Sequence, residues 1–259
     1  MRAGRRSGAE PTQADVDALH GAVRAAGSDV RRIRELLCGG SVAAITLIAV
    51  LRRSVPVRFL ELLVATSPWS EDARILGAVA ANPRTPASVA LRVLPYLFWR
   101  DLAEVAGNNW VVAAVRSRAE GVLQDMLPDL RLGERMTLAR LATRPLLGLL
   151  LGDGDARVVR LALQNPRLRE EDLLAGLRRD RVSRTLIEEA ADAYRWRSAY
   201  AVRVAIVLQP RTPLAVGLAQ LSALLPADLR RVAAAAGLPR LVQVAAERLA
   251  AAPRGEPEN

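Results

Sequence analysis

The sequence predicts an all-α protein, a right-handed α-solenoid of about five helical repeats of ~42 residues each. Composition is the first observation behind this prediction. Of the 259 residues, 51% are hydrophobic but only 3% are aromatic, so Leu, Val and Ala dominate, as is typical of helical proteins. Internal repetition is the second, because the segment Asn-Pro-Arg-Thr-Pro at 82–86 recurs as Gln-Pro-Arg-Thr-Pro at 209–213.

The similarity between the two copies extends beyond this motif. When Pro83 is placed on Pro210, 15 of the 41 positions in 83–123 are identical, and Trp69 falls on Trp196. A third copy of Asn-Pro-Arg, at 165–167, lies between the other two. This copy lies about one period before the last copy and about two periods after the first. This spacing gives the ~42-residue period, with about five units in 40–252.

Each repeat carries the signals of a helix end followed by a helix start. Thr85 and Thr212 each precede a proline, which predicts an N-cap followed by proline in the first helical turn. The prolines that open the motif cannot continue the helix before them. We therefore expect helices to end at the residues that precede these prolines, Asn82, Asn165 and Gln209.

Another helix start is predicted at Asp101, because Glu104 three residues later completes the pattern of a capping box. In the second copy Asp228 keeps the cap, whereas Arg231 replaces the glutamate. The repeat assigns a structural role to Pro83, Thr85, Pro86, Pro166, Pro210, Thr212, Pro213, Trp69 and Trp196.

The helices that precede the turns carry a Val, Arg and Ala pattern. Segments 75–83 and 202–210, with 159–162, resemble the Val-Arg-x-Ala core of HEAT-like repeats and the Val-Arg-x-Ala-Val-Ala-x-Asn-Pro pattern of the leucine-rich repeat variant family. The resemblance covers most of 40–252 and implies an α-solenoid. Two features depart from the variant family: the period is longer, and its cysteine cluster has no counterpart. No iron–sulfur cluster or other cofactor is therefore expected.

The domain prediction is one helical-repeat domain over 15–252, with an N-terminal cap at 15–39 and repeats at 40–252. Disordered tails are predicted at 1–14, which is polar and basic, and at 253–259, which is polar. Residues 42–51 are apolar but fall short of the ~20 residues of a membrane span, and no apolar signal segment follows the basic N-terminus. We therefore expect a cytoplasmic protein.

Residue counts exclude several chemistries. His20 and Cys38 are the single histidine and cysteine, which excludes a His/Cys metal site and a disulfide framework. The sequence also has no Gly-rich phosphate loop and no nucleophile elbow. Because stacked repeats present long curved surfaces, we expect a non-enzymatic scaffold that binds another protein.

The charge leaves a second interpretation open. All 37 basic residues are arginine, and against 27 acidic residues they give a net charge of +10, which favours an anionic partner such as nucleic acid or an acidic protein surface. Arginine occupies the same turn position in three copies, as Arg84, Arg167 and Arg211, and we predict that these side chains bind the partner. The alternative is that exposed arginines here maintain solubility.

Two tryptophans have no counterpart in the repeat, since Pro226 and Gly237 stand where Trp99 and Trp110 would recur. Unmatched aromatic residues are candidate binding hot spots, although tryptophan also stabilises cores. The cluster around them is similar in composition to the Trp/Asp pockets of alkylpurine DNA glycosylases, which gives the nucleic-acid hypothesis an enzymatic form. Its members are Trp99, Asp101, Asn108, Asn109 and Trp110.

Overall fold

The computed structural model describes residues 11–40 and 42–252. All regular secondary structure in this part of the chain is helical, without strands, which confirms the all-α prediction. The chain divides into two compact units, residues 1–129 and 130–259. The single repeat domain over 15–252 stays a prediction.

The first unit contains eight α-helices in its described part. They are α1 (Gln13–Ala26), α2 (Val30–Cys38), α3 (Ala44–Leu51), α4 (Val57–Leu63), α5 (Ala73–Ala81), α6 (Ala87–Val93), α7 (Trp99–Gly107) and α8 (Ala113–Met126). Short 3₁₀ helices lie at Trp69–Glu71, Leu94–Tyr96 and Leu127–Asp129.

The second unit contains ten α-helices in its described part. They are α9 (Leu132–Leu141), α10 (Arg144–Leu150), α11 (Ala156–Gln164), α12 (Glu170–Leu177), α13 (Arg184–Asp192), α14 (Tyr194–Arg197), α15 (Tyr200–Leu208), α16 (Leu214–Leu221), α17 (Pro226–Ala234) and α18 (Arg240–Ala251).

The two units share a repeated arrangement of helices. The offset that places Pro83 on Pro210 also places the first residues of α4 to α8 on those of α13, α15, α16, α17 and α18 respectively. Internal packing follows the same correspondence: α3 contacts α5 and α5 contacts α7 in the first unit, as α12 contacts α15 and α15 contacts α17 in the second. Likewise α2 contacts α4 and α6 contacts α8, as α11 contacts α13 and α16 contacts α18. The chain is therefore an internal duplication of a helical unit.

The period within a unit is shorter than the predicted ~42 residues. Helices α3, α5 and α7 pack in succession and begin at Ala44, Ala73 and Trp99, so each step falls well short of that period. The segment between the first two motif copies holds six helices, α6 to α11, whereas two repeats of two helices would give four. The sequence motif does not mark the end of α7, because Asn109, instead of a proline, follows Asn108.

The first helix begins inside the predicted tail 1–14. Thr12 is the N-cap of α1, and its hydroxyl accepts a hydrogen bond from the Asp15 N–H while the Asp15 carboxylate accepts one from the Thr12 N–H. This reciprocal pairing satisfies two N-terminal donors of the helix. Residues 1–10 and 253–259 lie outside the described part of the chain, so disorder of the remaining tails stays a prediction.

Aliphatic side chains build the cores. In the first unit, Leu47, Leu60 and Leu63 are completely buried in one cluster that also takes Val23 and Ile33 from the N-terminal helices. The second unit has a cluster around α15 to α18. No described helix has the length and apolar character that a membrane-spanning segment needs.

The threonines of the repeated turn do not cap the helices that follow them. Helices α6 and α16 have Pro86 and Pro213 as N-caps. The buried Thr85 hydroxyl instead donates a hydrogen bond of 2.6 Å to the Val79 carbonyl, and the Thr212 hydroxyl makes the same bond to the preceding helix. Each carbonyl also accepts the N–H of the C-cap residue, Asn82 or Gln209, so the hydroxyl provides it with a second donor.

The predicted caps at Asp101 and Asp228 are also wrong. Each is the third residue of its helix, and the N-caps are Phe98 and Leu225. An acidic residue in the first turn still interacts favourably with the helix dipole. Both aspartates line cavities.

Candidate binding surfaces

Several helices have an Asn or Gln residue directly after their last residue, and the side-chain amide of that residue forms hydrogen bonds with the backbone at the end of a neighbouring helix. The Asn82 amide nitrogen donates hydrogen bonds to the carbonyls of Leu51 and Arg53 at the end of α3. Its amide oxygen accepts a hydrogen bond of 2.9 Å from the Arg84 N–H. One side chain, here called an amide bracket, therefore satisfies three backbone groups that otherwise remain unpaired in a largely dry environment.

The same bracket recurs in both units. Asn165 donates to the carbonyls of Ala139 and Arg140 and accepts from the Arg167 N–H. Gln209 bonds the end of α12 and the Arg211 N–H in the same way. Asn108 bonds the Ala81 carbonyl and the Trp110 N–H. Each amide fixes the backbone of the residue two positions later, which is Arg84, Trp110, Arg167 or Arg211.

Three of the four residues that the brackets hold are the predicted binding arginines, and all three are exposed. The Arg167 guanidinium donates a 2.7 Å hydrogen bond to the Leu141 carbonyl, and that of Arg211 lies 3.4 Å from the Val182 carbonyl. These two side chains therefore also contact a neighbouring turn. Their role in partner binding stays a prediction.

Trp69 and Trp196 are buried at matching places. The Trp69 indole N–H donates to the Leu37 carbonyl at 2.9 Å, and the Trp196 indole N–H donates to the Leu163 carbonyl at 2.8 Å. The Arg195 guanidinium stacks over the Trp196 ring at 4.4 Å. Each ring thus fills a core and closes the end of an earlier helix.

The first unit contains a cavity of about 440 Å³ between α3, α5 and α7, here called the first cavity. Asp101 packs against α5 at Gly77, where an added Cβ would lie only 3.0 Å from the Asp101 carboxyl carbon. Glu104 lies further along α7, and Trp110 at the rim is 81% exposed. The absent side chain of Gly77 creates the space that Asp101 occupies.

The second unit contains a cavity of about 640 Å³ between α12, α15 and α17, here called the second cavity. Asp228 accepts a hydrogen bond from the Tyr200 hydroxyl, which in turn accepts one from the Leu225 N–H. The Arg231 guanidinium lies 3.9 Å from Asp228. Arg178 and Arg211 also line the cavity.

The two cavities occupy equivalent places in the duplication. Nine lining positions of the first cavity correspond to lining positions of the second: Leu51 to Arg178, Arg74 to Ala201, Gly77 to Val204, Ala78 to Ala205, Ala81 to Leu208, Asn82 to Gln209, Pro83 to Pro210, Asp101 to Asp228 and Glu104 to Arg231. The walls are similar, but the charge is reversed at the last pair. From the sequence alone, the change from Glu104 to Arg231 indicates only the loss of a capping partner. Its place in a cavity is not visible there, because the cavity forms only when three helices that are distant in the chain pack together.

The environments of the two aspartates differ. Burial raises the pKa of Asp101, and the negative charge of Glu104 raises the same pKa further. In the second cavity Val204 replaces Gly77, and Tyr200 provides the hydroxyl that Asp228 binds. Burial and the bond to Asp228 raise the pKa of Tyr200. The Asp101 carboxylate accepts a backbone hydrogen bond from Phe98 but faces the negative charge of Glu104, whereas Asp228 accepts a side-chain hydrogen bond from Tyr200 and faces Arg231.

We expect Asp101→Asn to raise the free energy of unfolding at neutral pH. A folded-state pKa above that of the unfolded chain means that ionisation opposes folding, and this cost disappears once the carboxyl is protonated in both states. The gain should therefore vanish below the ordinary pKa of 3.8. Urea denaturation at neutral pH and at about pH 3 measures it. Asp125→Asn, at an exposed site on α8, is the control, and a gain of equal size at both pH values would contradict the prediction.

Only part of the predicted Trp/Asp cluster comes together. Asp101, Asn108 and Trp110 line the first cavity. Trp99 is half-buried beneath the Arg100 guanidinium, 5.4 Å from the ring centroid. Asn109 accepts a 3.3 Å hydrogen bond from Arg116. Neither Trp99 nor Asn109 lines the cavity, so the composition that resembles a glycosylase pocket does not correspond to one site here.

The described residues contain no cluster of three or more His, Cys, Asp or Glu side chains placed to hold a metal ion. Comparison with known protein families, with curated proteins and with solved structures finds no match. The proposed function therefore depends on the duplicated cavities and on the residues that the amide brackets hold.

Proposed function

We propose that the chain is a non-catalytic helical-repeat scaffold that binds another protein. In this proposal the helix pairs of each unit stack as a right-handed α-solenoid of HEAT-like repeats. The packing of each helix on its second neighbour, as α3 on α5 and α5 on α7, supports such stacking. The partner contacts the cavities and the arginine-bearing turns.

The observation that carries the proposal is the recurrence of one cavity at the same place in both units. Its floor consists of small or aliphatic side chains of the central helix, such as Ala78 in the first cavity and Ala205 and Leu208 in the second. Charged groups surround each floor. A concave surface with an apolar floor and a few polar groups is typical of recognition sites.

Exposed apolar side chains also recur at matching positions. Leu91 and Leu218 are both exposed, as are Phe98 and Leu225. Apolar residues that remain exposed in both copies do not contribute to either core, and such surfaces are typical of protein–protein contact. Trp110, held by its amide bracket and largely exposed, adds a candidate anchor in the first unit.

The alternative proposal is a basic nucleic-acid-binding solenoid, and the net charge of +10 is the observation that favours it. A duplex carries one phosphate charge per ~1.7 Å and needs a continuous basic strip. Carboxylates interrupt both cavities, as Asp101 and Glu104 in the first and Asp180 and Asp228 in the second. A protein partner fits this mixed charge better.

Fluorescence anisotropy with labelled duplex DNA and single-stranded RNA, measured over a salt series, tests the proposal. We expect weak binding that is lost by about 0.15 M salt, because non-specific attraction to phosphates is screened. Sub-micromolar binding at that salt concentration, reduced in the triple Arg84→Ala, Arg167→Ala, Arg211→Ala variant, would overturn it in favour of the nucleic-acid alternative.

A further inference from the structure

We propose that the second cavity binds an acidic segment of the partner protein through carboxylate side chains. This inference rests on the proposed scaffold function and gives the chemistry of its ligand. The site is built by Arg178 at the end of α12, Arg211 in the turn after α15, and Arg231 on α17. Three guanidiniums from three separate elements thus surround one concave space.

The guanidiniums of this site keep most of their hydrogen-bonding capacity for a ligand. Among the described residues, neither Arg178 nor Arg211 forms an ion pair. Arg231 has only the 3.9 Å contact to Asp228, and its side chain is 66% exposed. By contrast, the Arg160 guanidinium of the same unit donates hydrogen bonds of 2.8 Å from Nε and from Nη2 to the two carboxylate oxygens of Glu189. Planar guanidiniums without such a partner bind carboxylates by paired hydrogen bonds.

The negative groups of the second cavity are fewer and partly satisfied. Asp228 accepts a hydrogen bond from the Tyr200 hydroxyl and lies near the Arg231 guanidinium. Asp180 is exposed at the rim. Three arginines against two aspartates leave the lining with an excess of one positive charge. A segment with separated carboxylates matches this alternation, whereas the uniform charge of a nucleic-acid backbone brings phosphates against Asp180 and Asp228.

The size and floor of the second cavity also match a peptide. Its volume of about 640 Å³ lies within the range of ligand sites and accommodates a few residues. Val204, Ala205 and Leu208 are partly exposed on the floor. These apolar surfaces suit the methylene groups of glutamate, while the arginines bind its carboxylate.

The first cavity provides an internal comparison. Glu104 stands where the second cavity has Arg231, and Arg74 is already paired with Asp72 at 2.7 Å. Charge therefore distinguishes the two copies at three matched lining positions, where Arg178 replaces Leu51, Ala201 replaces Arg74 and Arg231 replaces Glu104. We expect acidic ligands to prefer the second cavity.

The experiment measures binding of a fluorescein-labelled Glu-Gly-Ser peptide by anisotropy at about 0.15 M salt. The reference is a Gln-Gly-Ser peptide of the same length with the same label, which lacks only the side-chain carboxylates. Arg231→Glu places at this position of the second cavity the acidic residue that Glu104 provides in the first. Arg178→Glu is a second variant from a different helix end. Arg248→Glu, at an exposed position of α18 outside the cavity, is the matched control for the change in net charge. Circular dichroism verifies that each variant is folded.

We expect the acidic peptide to bind and the glutamine peptide to bind at least roughly tenfold more weakly. Arg231→Glu and Arg178→Glu should each weaken acidic-peptide binding by about tenfold or more, and Arg248→Glu by less than about twofold. Equal losses in all three variants, or no preference for the acidic peptide, would overturn the inference. The proposed scaffold function fails separately, through tight nucleic-acid binding in the salt series.

Discussion

Trp196→Ala should lower the free energy of unfolding by about 4 kcal/mol, within the range of large-to-small core substitutions. The indole is 5% exposed, packs beneath Arg195, and donates its N–H to the Leu163 carbonyl. The substitution therefore removes a large apolar surface and leaves a buried carbonyl without its donor. Urea denaturation followed by circular dichroism measures the loss.

Trp196→Phe separates the two contributions. It retains most of the ring packing and removes only the donor, so we expect a smaller loss of about 1–2 kcal/mol. Trp110→Ala is the control, because that ring is 81% exposed, and its effect should stay within about 0.5 kcal/mol. Equal effects of the alanine substitutions at Trp110 and Trp196 would contradict the assignment of Trp196 to the core.

Asn165→Ala should lower the free energy of unfolding by about 3 kcal/mol, because it removes three hydrogen bonds at a buried site. The side chain is 3% exposed and bonds the carbonyls of Ala139 and Arg140 and the N–H of Arg167. All three backbone groups lose their partner, and the alanine methyl replaces none of them. Urea denaturation measures this loss as well.

Asn109→Ala provides a control of identical chemistry, since this exposed asparagine accepts the 3.3 Å bond from Arg116 at the surface. Its effect should stay within about 0.5 kcal/mol. Asn82→Ala repeats the test in the first unit, where the bracket has the same geometry. A loss below about 1 kcal/mol in both brackets would show that water replaces the amide and that the bracket does not stabilise the helix ends.

The sequence predicts the helices well because their signals are local. The prolines after Asn82 and Gln209 mark helix ends. The offset between the two copies also places the first residues of five helices of the first unit on the first residues of five helices of the second. The amide brackets are not predictable in this way, because their partners lie 25 to 32 residues away. The pattern assigns Thr85 as an acceptor although its hydroxyl donates, since the sequence does not specify which neighbouring backbone group the hydroxyl reaches.

The candidate sites likewise combine residues that the sequence singles out with residues that only the packing of helices brings together. Trp110 is conspicuous in the sequence as an unmatched aromatic residue, and it is exposed at the first cavity. Arg178 and Arg231 are far apart in the chain, and only the packing of α12, α15 and α17 brings both to one cavity. Charge composition favours an anionic ligand, but it does not indicate where that ligand binds.

Competition binding on the unmodified protein distinguishes an acidic protein segment from nucleic acid as its ligand. The labelled acidic peptide is first bound at about 0.15 M salt and then challenged with unlabelled duplex DNA or with unlabelled acidic peptide. If the chain is a scaffold for an acidic protein segment, the unlabelled peptide displaces the label and the duplex leaves the anisotropy unchanged. Displacement by duplex DNA at concentrations equal to or below those of the competing peptide would contradict the account and identify the cavities and turns as a nucleic-acid surface.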